Sequence, residues 1–129
     1  MEMTAHQRHF GINDEDEVYA FLWTHDDKLD FVFSLTRPVD CSETTPITFM
    51  VLDQIWEPID DFDLRIDDDT IYACVPTGLR QFTSDSDEIL IHHGCRGDDL
   101  FALINILRQI FKGKKGLQVH ATSLEENSK

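Results

Sequence analysis

DDLFALINILRQIFKG, residues Asp98 to Gly113, is the stretch whose reading decides the fold. Leu100, Leu103, Ile104, Leu107, Ile110 and Phe111 recur at spacings of three and four, which puts them on one stripe of a helix. Asn105, Arg108, Gln109 and Lys112 fall on the opposite side. Asp98 is the expected cap of the first turn, with Asp99 at the positive end of the helix and Arg108 and Lys112 near the negative end. Gly113 is the residue that can enter the left-handed conformation and stop the helix. At about 1.5 Å per residue such a helix is roughly 20 Å long, close to the length of a six-residue strand. It fits lengthwise on a sheet. Burying its six apolar side chains contributes on the order of 10–15 kcal/mol before chain entropy is subtracted.

The chain upstream supplies the strands. Val18, Ala20 and Leu22 alternate with Tyr19, Phe21 and Trp23, and Leu29, Phe31, Phe33 and Leu35 share one face of the next strand. Together they make a hairpin across a turn at residues 24–28, with Asp30 and Ser34 pointing outward. Arg37 to Pro46 is a loop, followed by a third strand with Ile47, Phe49 and Val51 inward. Pro58 argues against a central strand through Gln54 to Pro58. Phe62–Ile66, Thr70–Val75 and Glu88–His93 are the fourth, fifth and sixth strands, and Leu117–His120 is a short edge strand. Met1 to Glu17 is expected to be a loose lead-in. The predicted fold is α+β, an antiparallel meander of about six strands with the C-terminal amphipathic helix packed on one face. It occupies one domain, residues 1–121, and residues 122–129 form a disordered tail.

Composition narrows the function classes. The 129 residues include 25 acidic against 11 basic, a net charge of −14. Phosphate backbones would be repelled, so no nucleic-acid partner is expected. The acidity suits a soluble protein or one with a basic partner. Cys41, Cys74 and Cys95 form no CxxC pair and read as reduced, packed thiols. The opening MEMTAHQRHF has no signal-peptide core, and no apolar run approaches the roughly 20 residues of a membrane span. A cytoplasmic protein without membrane contact is the expectation.

Candidate chemistry was tested residue by residue. An EF-hand-type loop needs glycine at its sixth position and glutamate at its twelfth. From Asp67 those positions hold Tyr72 and Gly78, and from Asp61 they hold Ile66 and Tyr72. His92 and His93 are neighbours in a strand and point to opposite faces, so they do not jointly bind one metal. His6 and His9 lack a third ligand nearby. No phosphate-cradling glycine loop, GxSxG or HExxH occurs. The expectation is no catalytic set, no metal and no cofactor. Trp56, in an irregular segment beside acids, has the character of an interface anchor, although covering the edge of the core is an equal explanation. Asp60, Asp61, Asp63, Asp67, Asp68 and Asp69 place six carboxylates within ten residues, flanking one strand. If that strand lies at a sheet end, they form one negative rim near Trp56.

A family comes into view in the second half. Phe49-Met50-Val51-Leu52-Asp53-Gln54, the paired strands Phe62–Ile66 and Thr70–Val75, then Glu88–His92 and the helix ending Leu107-Arg108-Gln109-Ile110-Phe111-Lys112-Gly113 resemble immunity protein ten of bacterial polymorphic toxin systems. One departure is that Ile55 to Asp61 holds no glycine, where that family has one soon after the glutamine. The resemblance implies a non-enzymatic protein that binds and neutralises a cognate toxin domain, and basic toxins would suit the acidic balance. Two other classes fit the composition: a small metal- or acid/base-dependent enzyme, and an acidic chaperone or nucleic-acid mimic. The enzyme requires a pocket where two histidines or a His–Asp pair converge. The binding proteins require a carboxylate-rich rim.

Overall fold

The structure, a computed structural model, describes residues 1–25, 29–52 and 54–121. Residues 26–28 of the turn expected at 24–28, Asp53 of the Asp53-Gln54 step and residues 122–129, expected as a disordered tail, lie outside the described residues. The strands are β1 (Glu2–Thr4), β2 (Gln7–Ile12), β3 (Glu17–His25), β4 (Asp30–Pro38), β5 (Ile47–Val51), β6 (Ile55–Ile59), β7 (Leu64–Ile66), β8 (Thr70–Cys74), β9 (Glu88–His92) and β10 (Leu117–Val119). A 3-10 turn at Thr77–Phe82 precedes β9, and helix α1 spans Gly97–Ile110. The α+β class holds. The arrangement differs from a single meander of about six strands.

Among the described residues, two five-stranded sheets share the core. One is an antiparallel meander in chain order, β2-β3-β4-β5-β6. The other has the order β1-β9-β8-β7-β10 and is mixed, because β1 runs parallel to β9 and β10 parallel to β7. The expected loose lead-in is therefore ordered strand. Gln7–Ile12 has no apolar alternation, and four of its six residues are exposed. It is held by its ladder to β3, with Gln7 opposite Trp23 and Ile12 opposite Val18. An edge strand needs only its neighbour's backbone groups, so its side chains leave little trace in a hydropathy pattern. The same reasoning corrects the segment after Asp53. Ile55–Ile59 is a strand, and Pro58 is tolerated because β6 is the outer edge of the meander.

Facing follows the alternation. Val18, Ala20, Leu22, Phe31, Phe33, Leu35, Ile47, Phe49 and Val51 are all buried on the inner side of the meander. Helix α1 packs on that side closest to β3, and also reaches β2, β4 and the edge strand β10. All six stripe residues are buried, and Ile106 joins them. The helix begins one residue earlier than expected, after Arg96, and ends at Ile110, short of Gly113; no side chain among the described residues caps its start, and Asp98 lies inside the first turn. Gly113 does enter the left-handed region, at φ +75°. A run of aromatic contacts, Phe33–Phe49–Phe62–Phe111, has ring centroids 5.3, 5.1 and 5.1 Å apart and ties the meander to the helix end. Leu107 is fully buried and Arg108 exposed. Leu107→Ala is therefore expected to cost about 2–5 kcal/mol and Arg108→Ala below about 1 kcal/mol in chemical denaturation. Equal losses would contradict the facing.

Polar groups fix the C-terminal end of the helix. Arg37, on the inner side of β4, is fully buried. Its Nη1 donates to the carbonyls of Ile110 (2.8 Å) and Lys112 (2.6 Å), its Nη2 to Ser42 O (2.7 Å) and its Nε to Thr45 O (3.1 Å). The guanidinium thus caps the C-terminal end of α1, where carbonyls lack helical partners and the dipole is negative.

Candidate partner-binding surface

The anticipated rim is not assembled as one surface. Asp60, Asp61 and Asp63 lie before β7, and Asp67, Asp68 and Asp69 after it. From Asp63 to Asp67 the extended chain covers about 13 Å, more than the Debye length of about 8 Å at physiological salt. The first group faces the chain beyond α1. Asp60 pairs with Lys114 Nζ at 2.9 Å, and Lys114 is itself almost wholly covered. Asp61 accepts the N–H of Lys115 (2.8 Å) and of Gly116 (3.1 Å), clamping the approach to β10. Asp63 is exposed beside Cys74.

The second group lies at the other end of the helix. Asp67 Oδ1 accepts the N–H of Asp69 (3.0 Å) and Thr70 (2.7 Å), closing the β7–β8 turn on itself. Asp69 pairs with Arg96 at 2.7 Å, and Arg96 also donates to Asp68 O at 3.1 Å. Most of these carboxylates therefore have structural work of their own, which sequence clustering does not disclose.

The histidines separate as their strand position requires. His93 is fully buried. Its Nδ1 accepts the N–H of Cys95 (3.0 Å), so its Nε2 carries the proton donated to Asp67 O (3.1 Å). Burial pushes this imidazole below its ordinary pKa, which keeps it neutral. His92 instead lies on the outer side of the mixed sheet, where Nε2 meets Glu2 Oε2 and Nδ1 meets Thr70 Oγ1 at 3.2 Å. The order hydroxyl, imidazole, carboxylate is that of a nucleophilic triad. Thr70 is only 5% exposed, however, so the arrangement fastens β1 to β9 and β8 without offering a hydroxyl to a substrate. Burial, with the charge of Asp63 second, raises the Cys74 thiol, and burial raises that of Cys95, so both stay protonated. Among the described residues no three His, Cys, Asp or Glu side chains gather as a metal would need.

Trp56 is placed where an anchor can act. It is 60% exposed on β6, directly across from Met50 of β5. The register carries this row over the outer side of the meander, from Trp56 through Met50 and Ser34 to Phe21. Trp23 and Val32 pair in the adjacent row. Phe21, Trp23, Asp30, Val32, Met50 and Leu52 line an open groove of about 430 Å³ there. Residue reasoning singled out Trp56 and missed the groove. Its signal was present in β3, where Tyr19, Phe21 and Trp23 make a strand apolar on both faces.

No helix among the described residues is long and apolar enough to cross a membrane. The class defined at this point is an acidic two-sheet α+β protein with an aromatic groove on an outer sheet face. No protein-family model, curated protein or solved structure matches this chain.

Proposed function

We propose that this protein is an immunity-type binding protein, which neutralises a basic toxin domain in the cytoplasm of the cell that makes both. The observation that carries this reading is Trp56, a large aromatic left 60% exposed on the edge strand β6 of a chain with net charge −14. An exposed aromatic that a partner buries on binding is how a few residues dominate binding energy, while excess opposite charge speeds encounter. The resemblance of the run Phe49–Gln54 and of the helix ending Leu107–Gly113 to immunity protein ten points the same way. Neutralisation by this route needs no catalytic group of the chain, only that the toxin be held in a form that cannot act.

If the adjacent reading frame encodes a toxin-like domain, co-expression with it is expected to restore growth that the domain alone arrests. Continued arrest, with both proteins soluble, would end the reading. The long-range term has its own test. Asp68→Asn together with Asp69→Asn leaves the Asp67 turn intact, so it is expected to slow association several-fold and flatten its salt dependence, with dissociation unchanged. Stopped-flow mixing at two salt concentrations measures both.

A further inference from the structure

We infer that the outer face of the meander sheet is the docking surface, and that its occupant is a basic protein that places a cationic side chain beside Asp30. This deepens the toxin-binding reading and rests on it. The two rows His9–Phe21–Ser34–Met50–Trp56 and Gln7–Trp23–Val32 contain no aspartate, glutamate, lysine or arginine, in a chain of which 28% is charged, and inward of the edge strand β2 their one polar residue is Ser34. An antiparallel sheet with one side in water ordinarily shows polar and charged groups there. The mixed sheet does so, with Glu2, Leu90, Tyr72, Arg65 and Gln118 in one outer row. Loss of charge with enrichment of aromatics and methionine marks the core of an interface.

Ser34 sharpens the point. It belongs to the outer row, between Phe21 and Met50, yet is only 6% exposed. The neighbouring side chains already form a continuous apolar layer over the sheet on the side away from the core. Left uncovered, such a layer is an association surface.

Charge selects the occupant. A second copy would bring −14 against −14, so self-association is opposed and a basic partner favoured. The groove also has a positioned acid. Asp30 Oδ1 accepts Trp23 Nε1–H at 2.7 Å, and its Oδ2 lies 3.5 Å from His25 Nδ1, while the side chain remains 63% exposed. A lysine or arginine can lay its aliphatic stem over Trp23 and Val32 and bring its cation to this carboxylate. Asp30, and no member of the Asp67–Asp69 turn, is then the acid at the contact itself.

The test uses the purified protein of the adjacent reading frame as probe, in surface plasmon resonance, with sedimentation velocity on the protein alone. Trp56→Ala and Met50→Lys are each expected to weaken affinity about 30-fold or more, mainly through faster dissociation. Asp30→Asn is expected to weaken it about tenfold at low salt and less at high salt. Gln118→Lys, on the outer row of the mixed sheet, is expected to change it less than about threefold. Unfolding midpoints of the variants establish that folding is intact. Binding by the wild type that all four variants retain within about threefold would overturn the surface while leaving the toxin reading standing. Absence of wild-type binding would overturn the toxin reading and the occupant with it. A wild-type dimer that Met50→Lys dissociates would show a self-interface and overturn the basic partner.

Discussion

Arg37→Met is expected to lower stability by about 3–5 kcal/mol, because it removes the buried cation that satisfies carbonyls in two separate segments, the loop at Ser42 and Thr45 and the end of α1 at Ile110 and Lys112. The side chain is 0% exposed, and its donors reach Ser42, Thr45, Ile110 and Lys112. Methionine fills much of the same volume but donates nothing, so the buried Ile110 oxygen and the partly buried oxygens of Ser42, Thr45 and Lys112 lose this partner. The cost of an unsatisfied buried acceptor is about 1–3 kcal/mol, and partial entry of water limits the sum. With total stabilities commonly about 5–15 kcal/mol, the variant would be marginal. Arg37→Lys is expected to recover only part of the loss, since one compact ammonium cannot span acceptors placed around a planar fork. The measurement is the urea midpoint of the three proteins at equal m-value. A loss below about 1 kcal/mol for methionine would mean that the helix end is satisfied without the guanidinium.

Gly116→Ala is the second large effect. A Cβ on Gly116 would lie 1.7 Å from the carbonyl oxygen of Phe62 and 2.5 Å from its carbon. Both are backbone atoms, so no rotamer change relieves the overlap. The same glycine donates its N–H to Asp61 Oδ1 and accepts Leu64 N–H at 2.9 Å, which seats β10 against β7. Inserting one methyl group must push the β6–β7 link away from this seat and uncouple both hydrogen bonds. The expected loss is about 3 kcal/mol or more, beyond the usual range for one added methyl in a core. Gly97→Ala is the comparison. Gly97 has φ +54° but nothing within 4 Å of the added carbon, so conformational strain alone applies, about 1 kcal/mol. Thermal unfolding of the two variants should rank Gly116→Ala well below Gly97→Ala. The reverse order would place the tight contact elsewhere.

Arg37 and Gly116 show what local sequence omits. Residues 37–46 read as a loop with a proline at each end, and nothing near Arg37 announces a helix terminus 73 positions away. Lys114-Lys115-Gly116 read as a linker, although Gly116 is held by contact with residues more than 50 positions earlier. The same limit applies to the surface. Trp56 could be singled out because a large aromatic in an irregular acidic stretch is unusual in itself. That Phe21, Ser34 and Met50 stand in line with it is a matter of register between four strands. The six aspartates lie close in sequence, yet β7 and their separate hydrogen bonds divide them between the two ends of the helix.

Sequence by itself determined the elements whose cause is local. The helix stripe from Leu100 to Phe111, the in–out alternation of β3 to β5 and the opposite facing of His92 and His93 all follow from periods of 3.6 and 2.0. Tertiary structure alone decided that the strands divide into two sheets, that β1 and β10 close the mixed sheet by parallel pairing, and that β2 and β6 are strands at all. Edge strands are held by the backbone of a distant neighbour and bury little of their own, so hydropathy carries almost no record of them. Buried polar groups such as Arg37 and His93 are likewise specified by their partners. Those partners become neighbours only when the chain has folded.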